Sequence, residues 1–471
     1  MPAVFRFPEK RVETTQGPND TQGFSSFLMM TNGYLQNRFL KIFCIFACGF
    51  ILYSFVLAAP FKTLDDRASI SQNQYVSSLK YIPQIFRSSF FGGDFYYRPL
   101  VSLTYALERH LFGLNYFFFN LGNILLHLMT ALIVFCLITT LFKDEALGFW
   151  AGFLFAIHPI QSEAVANIPG RSILLCGFFE LSALLLFCLF SQKQKRRYLF
   201  FSLGAFVLAL LSKESSATLP ITIFMYTLLF NRDAKRPLLK SAKAALPFFL
   251  IFLGYLLLRC SLKISSMSFV LNAKDYFCGI FTFFQGFLTY LRMIIFPVNL
   301  YSDRITPVIY DFFSPAALLT IAGIGLCAAS FVYFYKRLKP EVLFLIFFVI
   351  IRFLPLSQLI PIRSQASYIC VPDHFLYVPS VGLLTLLVLL FRLGTKKAVE
   401  QRTFGRAFLN TLVAGWIGFL CLTTIEQNIY ATNEIAMYSR SVRFVPRHVR
   451  MNIALGLSYV LEKDFKDAEK Y

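Results

Sequence analysis

Residues 112–142 read FGLNYFFFNLGNILLHLMTALIVFCLITTLF and contain no Asp, Glu, Lys or Arg. A bilayer core about 30 Å thick needs roughly 20 residues of helix to cross it, so this run is long enough to span. Its hydrophobicity is continuous rather than alternating. That pattern predicts a helix and speaks against a strand of a membrane barrel.

Further apolar runs lie at 39–59, 147–160, 172–191, 198–212, 216–231, 245–259, 281–298, 315–335, 341–361, 375–392 and 407–425. The 471 residues are 57% hydrophobic and only 15% charged, where a soluble protein carries roughly 25%. The expectation is an all-α polytopic membrane protein. A soluble enzyme, a disordered chain and a fibrous repeat are excluded. The net charge of +20 comes from 45 Lys+Arg against 25 Asp+Glu. The basic residues cluster between apolar runs, where the positive-inside rule puts them, so nucleic acid is not the expected partner. Ten Cys include no CxxC pair or zinc spacing.

Three regions follow. Residues 1–35 form a polar cytoplasmic tail, 36–428 a multi-pass domain with external loops, and 429–471 a short helical stub. Arg38 and Lys41 place the N-terminus inside. Lys193, Lys195, Arg196 and Arg197 then fall inside, as do Arg232, Lys235, Arg236 and Lys240. The later clusters, Lys336, Arg337 and Lys339, then Lys396, Lys397, Arg402 and Arg406, stay inside only if 281–298 does not cross. That segment is therefore read as re-entrant or interfacial, giving about eleven spans and an external C-terminus. The alternative is twelve spans with two loops that break the rule.

The polar motifs then gather on the outer face. Asp65-Asp66 follows the first span. Such a pair suits a general base or a metal ligand, or else Asp66 caps a short helix. Arg98 before Pro99 suits a phosphate clamp or an interfacial anchor. Asn123 and His127, at i and i+4, share one face of the second span and suit a helix–helix hydrogen bond. His158 and Glu163 open the next external loop, which closes on Arg171. They offer proton transfer and a second phosphate-capable cation, or simply a capped interfacial loop. Lys213-Glu214 is spaced so that the two do not pair with each other on a helix. Asp303-Arg304 and Asp373-His374 are further external charged pairs, with a solvated loop as the alternative.

At these residues the chain resembles the transmembrane and tetratricopeptide-repeat O-mannosyltransferase-like family, within the type C glycosyltransferases. The matching set is Asp65-Asp66, Arg98-Pro99-Leu100 with Ser102-Leu103-Thr104, Asn123 and His127. It continues through His158-Pro159, Glu163-Ala164-Val165, Gly170-Arg171, Lys213-Glu214, Thr218, Leu376-Tyr377 and Pro379-Ser380. The motifs stand in the family's order over most of 60–385. Two positions depart: Asn120 stands where the family usually shows His, and Asp373-His374 where it usually shows Glu-Arg. In the stub, Ala454, Gly456, Tyr459 and Ala468 match the small and aromatic positions of barely one tetratricopeptide hairpin.

The resemblance implies a type C membrane glycosyltransferase. It would move a mannose-like sugar from a polyprenyl-phosphate donor to a protein Ser/Thr hydroxyl outside the cytoplasm. Asp65 and Asp66 would form the catalytic centre, with His158 and Glu163 beside them. Arg98, Arg171 and Lys213 would hold the donor phosphate. Asn123, His127, Glu214, Asp373 and His374 would support the site. Phe86, Phe90, Phe91 and Phe95 would help bury the lipid. No cofactor is certain; a divalent metal is compatible, although one acid pair supplies few ligands. The short stub points to a bacterial inner membrane rather than the endoplasmic reticulum. The rival readings are a transporter or flippase for a lipid-linked or anionic substrate, and a non-catalytic scaffold.

Overall fold

The computed structural model describes residues 37–90, 96–232, 235–264, 272–359, 367–400 and 405–471. The N-terminal tail, Phe91, Phe95 and Arg402 lie outside the described residues. The helices, in chain order, are α1 (Arg38–Tyr53), α2 (Ile82–Ile85), α3 (Pro99–Phe112), α4 (Tyr116–Phe142), α5 (Glu145–Ile157) and α6 (Ser162–Val165). Next come α7 (Arg171–Lys193), α8 (Arg196–Leu210), α9 (Leu219–Phe230), α10 (Pro237–Ser261), α11 (Ala273–Ile295) and α12 (Pro315–Phe334). The last six are α13 (Pro340–Phe353), α14 (Pro379–Glu400), α15 (Gly405–Thr432), α16 (Glu434–Phe444), α17 (Val449–Leu461) and α18 (Phe465–Ala468). Every apolar run in the sequence overlaps a helix. Seven helical segments among the described residues are long and apolar enough to cross a membrane. The chain is a multi-pass, all-α membrane protein.

Local chemistry sets the helix ends. Asn115 caps α4 by accepting from the Phe117 N–H, and Asp144 caps α5 by accepting from the Leu147 N–H at 2.8 Å. Between them Lys143 takes a left-handed φ of 53°, turning the chain back so that the two helices pack antiparallel. Gly148 on α5 permits that packing, since a Cβ there would collide with Thr139 and the Phe135 carbonyl of α4.

Ion pairs mark the two ends of the bundle. At one end Lys41 meets Glu145 at 3.2 Å and Arg392 meets Asp144 at 2.5 Å. At the other end lie the loops that carry the sequence motifs. A two-stranded antiparallel ribbon, β1 (Ile305–Pro307) with β2 (Tyr368–Cys370), ties two of those loops together, Ile305 opposite Cys370.

Residues 281–295 belong to α11, an unbroken helix of 23 residues rather than a re-entrant loop, and 296–298 follow its end. Its contacts run along the loop end of the bundle. Tyr310 donates to Asp275 and Tyr276 donates to the Leu359 carbonyl. The Ile309 N–H donates to Thr282, and Tyr290 donates to the Pro372 carbonyl. At its far end the Ile294 carbonyl meets His158.

The stub is not detached. A small core of Tyr438, Met451, Ala454 and Leu455 joins α16 to α17 and takes in Leu64 from the first loop. Arg440 donates to the Leu300 carbonyl at 2.8 Å, and Tyr301 stacks on Phe444.

Candidate active site

The loop after α1 carries the acid pair, and its two carboxylates face different surroundings. Asp66 is 1% exposed. Its Oδ2 accepts from the Lys62 N–H at 2.7 Å, while its Oδ1 is buried without a partner. It does not cap the following turn. Burial pushes its pKa up to about 7, against the opposing pull of Lys62. Lys62 is itself buried and donates to the Ala166 carbonyl at 2.7 Å. Asp65 is partly exposed, and its Oδ2 accepts from Arg450 of the stub at 2.7 Å.

Glu163, on α6, accepts from the Asp303 N–H at 2.8 Å and from the His374 N–H at 2.7 Å. The His374 ring stands 3.1 Å from the same carboxylate. Burial opposes ionisation of Glu163, but His374 and these two N–H groups hold it below the usual carboxylate range. Arg304 clasps Asp373 at 2.7 and 3.4 Å and lies over the Tyr301 ring. Burial pushes Asp373 up to about 6 in spite of that partner. The cation missing at 374 is thus supplied by Arg304 from a distant loop.

Arg98 makes a two-point pair with Glu214 at 2.7 and 3.2 Å. Burial resists the charge on Glu214, yet Arg98 holds its pKa down at about 2. Lys213 is left without a carboxylate within ion-pair distance among the described residues. Burial, then the neighbouring Arg98, bring it down to about 8, so it is still mostly cationic at neutral pH. It lines a cleft of about 490 Å³ with Cys176, Ser215, Arg352, His374 and Tyr377. A second cleft of about 500 Å³ lies between Lys62, Glu163, Asp373, Tyr301 and Arg440. Asp373 and His374 form part of the wall of one cleft each. A run of contacts joins the acid pair to the Lys213 cleft: Arg450 bridges Asp65 and Asp303, the Asp303 N–H donates to Glu163, and Glu163 accepts from His374, which lines that cleft.

Several expected roles do not fit these positions. Arg171 is 1% exposed and fully engaged. It pairs with Glu108 at 2.8 Å, donates to the Phe119 carbonyl at 2.7 Å and donates to Asn123. It is a structural arginine with no donor group free for a phosphate. His158 is buried with both ring nitrogens used: Nδ1 accepts from the Ile160 N–H, and Nε2 meets the Ile294 carbonyl at 3.1 Å. That fixes a neutral tautomer and leaves no nitrogen for proton transfer. Phe90 is 2% exposed within a compact core, so it does not line an open lipid groove, and the partly buried Phe86 packs against that core. Asn123 also donates to the Asn167 carbonyl. His127 bridges the Tyr377 hydroxyl at 3.1 Å and the Ala156 carbonyl at 3.2 Å, a helix–helix tie. Asn120 holds the Ala59 carbonyl at 2.8 Å. Among the described residues no group of three or more His, Cys, Asp or Glu converges on a metal position.

Glu108 and Arg450 are not among the motif residues, and Arg304 stands in the sequence only as half of the charged pair Asp303-Arg304. The only sequence signal for Glu108 is that a buried partner charge elsewhere requires one. Gly170 beside Arg171 allows the loop to close. A Cβ there would run into the Ala164 carbonyl. Gly170→Ala should therefore lower stability by about 1–3 kcal/mol, read as a fall in detergent melting temperature.

Residues 98–259 match the dolichyl-phosphate-mannose-protein mannosyltransferase family. A protein O-mannosyl-transferase of Caenorhabditis elegans is 26% identical over 456 residues, covering 91% of this chain and 61% of that protein. This chain is similar to protein O-mannosyl-transferases. The resemblance read from the ordered motifs is thereby supported. Human protein O-mannosyl-transferase TMTC2 is 35% identical over 146 residues, or 30% of this chain and 17% of its own length. The chain spans about three fifths of the worm relative and a smaller share of the human one. The Archaeoglobus fulgidus oligosaccharyltransferase structure aligns over 88% of this chain and 58% of its own, with 15% identity and a TM-score of 0.49.

Proposed function

We propose that the chain is a glycosyltransferase that moves a mannose-like sugar from a polyprenyl phosphate to a Ser/Thr hydroxyl of a protein. The observation that carries this reading is a cleft whose Lys213 has no carboxylate partner among the described residues, linked through His374, Glu163, Asp303 and Arg450 to the partly exposed carboxylate of Asp65. Asp65 takes the proton of the acceptor hydroxyl. The hydroxyl oxygen attacks the anomeric carbon, and the bond from that carbon to the phosphate oxygen breaks. Lys213 neutralises the departing polyprenyl phosphate. One displacement inverts the anomeric configuration. Glu163 and His374 connect the two through their hydrogen bonds to each other and to Asp303. Asp66 holds the loop through Lys62, and Arg98 positions Glu214 beside Lys213.

The type C fold implied by the motifs is retained. The active-site end is placed outside the cytoplasm, opposite the end bearing Lys41, with α11 lying along it and eleven crossings. The relatives reported above are animal proteins, which favours the endoplasmic reticulum over the bacterial inner membrane.

The test is transfer in detergent from a panel of polyprenyl-phosphate sugars to acceptor peptides, followed by release of free polyprenyl phosphate. Lys213→Gln should weaken donor binding about ten- to a hundred-fold, the loss of one charge-assisted contact. Unchanged donor binding in that variant would remove Lys213 from the phosphate site.

A further inference from the structure

The stub supplies a side chain to the acid pair, and nothing in the motif set pointed to it. Arg450, on α17, reaches Asp65 Oδ2 with Nη2 at 2.7 Å and Asp303 Oδ2 with Nη1 at 3.1 Å. The two carboxylates belong to loops more than 200 residues apart. One guanidinium spans both, a geometry that suits Arg and that the single ammonium of Lys cannot reproduce.

Asp303 is itself fixed from three sides. It holds a left-handed φ of 57°, which Asp tolerates better than most residues. Its N–H donates to Glu163 at 2.8 Å, and its carbonyl meets the His448 ring at 2.9 Å. Glu163 in turn accepts from His374. The contacts therefore run Asp65, Arg450, Asp303, Glu163, His374, joining four loop segments through one stub residue. The stub is anchored to the same loops by Glu434, which accepts from the Thr63 N–H at 2.5 Å, and by Ser441, which donates to the Ser302 carbonyl at 3.1 Å.

We propose that Arg450 is a positioning residue for the transfer reaction, orienting the Asp65 carboxylate from the stub by tying it to Asp303. Oδ2 is held by the guanidinium, which leaves Oδ1 for the acceptor hydroxyl. The stub is then part of the catalytic unit rather than an appendage. This inference rests on the transferase reading above.

The experiment compares full-length wild type with Arg450→Gln, Arg450→Lys and the control Arg447→Gln, an exposed neighbour. The readouts are kcat, donor and acceptor KM, melting temperature, and hydrogen exchange of segments 62–69 and 300–305. Arg450→Gln should lower kcat about tenfold or more, with donor KM and melting temperature unchanged and faster exchange in both segments. Arg450→Lys should recover part of kcat, and Arg447→Gln should match wild type. Unchanged kcat and exchange in Arg450→Gln would overturn the proposal. So would a kcat loss that tracks the unfolded fraction and that Lys does not relieve. If wild type transfers no sugar from any donor, the transferase reading fails. Exchange then decides the positioning claim: equal exchange in wild type and Arg450→Gln overturns it, and faster exchange in the variant retains the tie between the loops.

Discussion

Asp65→Asn should reduce sugar transfer by about 10²–10⁴-fold while leaving donor binding and folding intact. The amide has the shape of the carboxylate but cannot take the acceptor proton. The Asp65 side chain is partly exposed, and its one ion pair among the described residues is with Arg450, so its replacement disturbs little else. Asp66→Asn should behave differently. That carboxyl is almost fully buried, and burial pushes it up to about 7, so much of it is already protonated at neutral pH. A neutral Asn still accepts from the Lys62 N–H, and the loss of turnover should be less than about tenfold. Steady-state kinetics on both variants, beside detergent melting curves, separates the base from its supporting neighbour. A larger loss in Asp66→Asn than in Asp65→Asn would reverse the two roles.

Arg171→Leu should fail to fold or lose about 3–5 kcal/mol of stability. The substitution strands Glu108, Asn123 and the Phe119 carbonyl, three groups that Arg171 alone brings together. Glu108 would be left as a largely buried carboxylate without its counter-charge. Arg171→Lys should recover little, because one ammonium cannot reach all three partners in the guanidinium's plane. Size-exclusion profiles and melting temperatures read this out. A well-folded Arg171→Leu protein whose only defect is donor binding would restore the phosphate role expected from the motif.

The helices were legible because continuous hydrophobicity is a long-range signal that each segment carries by itself. The run at 112–142 and its cap at Asn115 needed no partner to be read. The length of α11 was not legible, since the helix begins eight residues before the apolar run at 281–298; its course along the loop end rests on hydrogen bonds with Tyr310, Leu359 and Pro372 from other loops. The site was legible only where spacing alone decides. Adjacent Lys213 and Glu214 were read as unlikely to pair, and Glu214 instead takes Arg98, 116 residues away. Whether a loop arginine is buried or open is set by tertiary partners. Arg171 and Arg98 looked equivalent as phosphate clamps, yet Arg171 is enclosed between α3 and α4. The exchange of Arg for His at 374 looked like a lost cation. The fold brings one to the pair from Arg304, which clasps Asp373 from 69 residues away in the chain. Arg450 was invisible for the same reason, being 385 residues from Asp65.

The most direct test is the mass of a Ser/Thr acceptor peptide after incubation with the purified chain and polyprenyl-phosphate mannose. The account predicts that the peptide gains a single hexose in step with release of free polyprenyl phosphate, and that Asp65→Asn abolishes both. Donor that binds and dissociates intact, with no hexose on any peptide and no difference between wild type and Asp65→Asn, would contradict it.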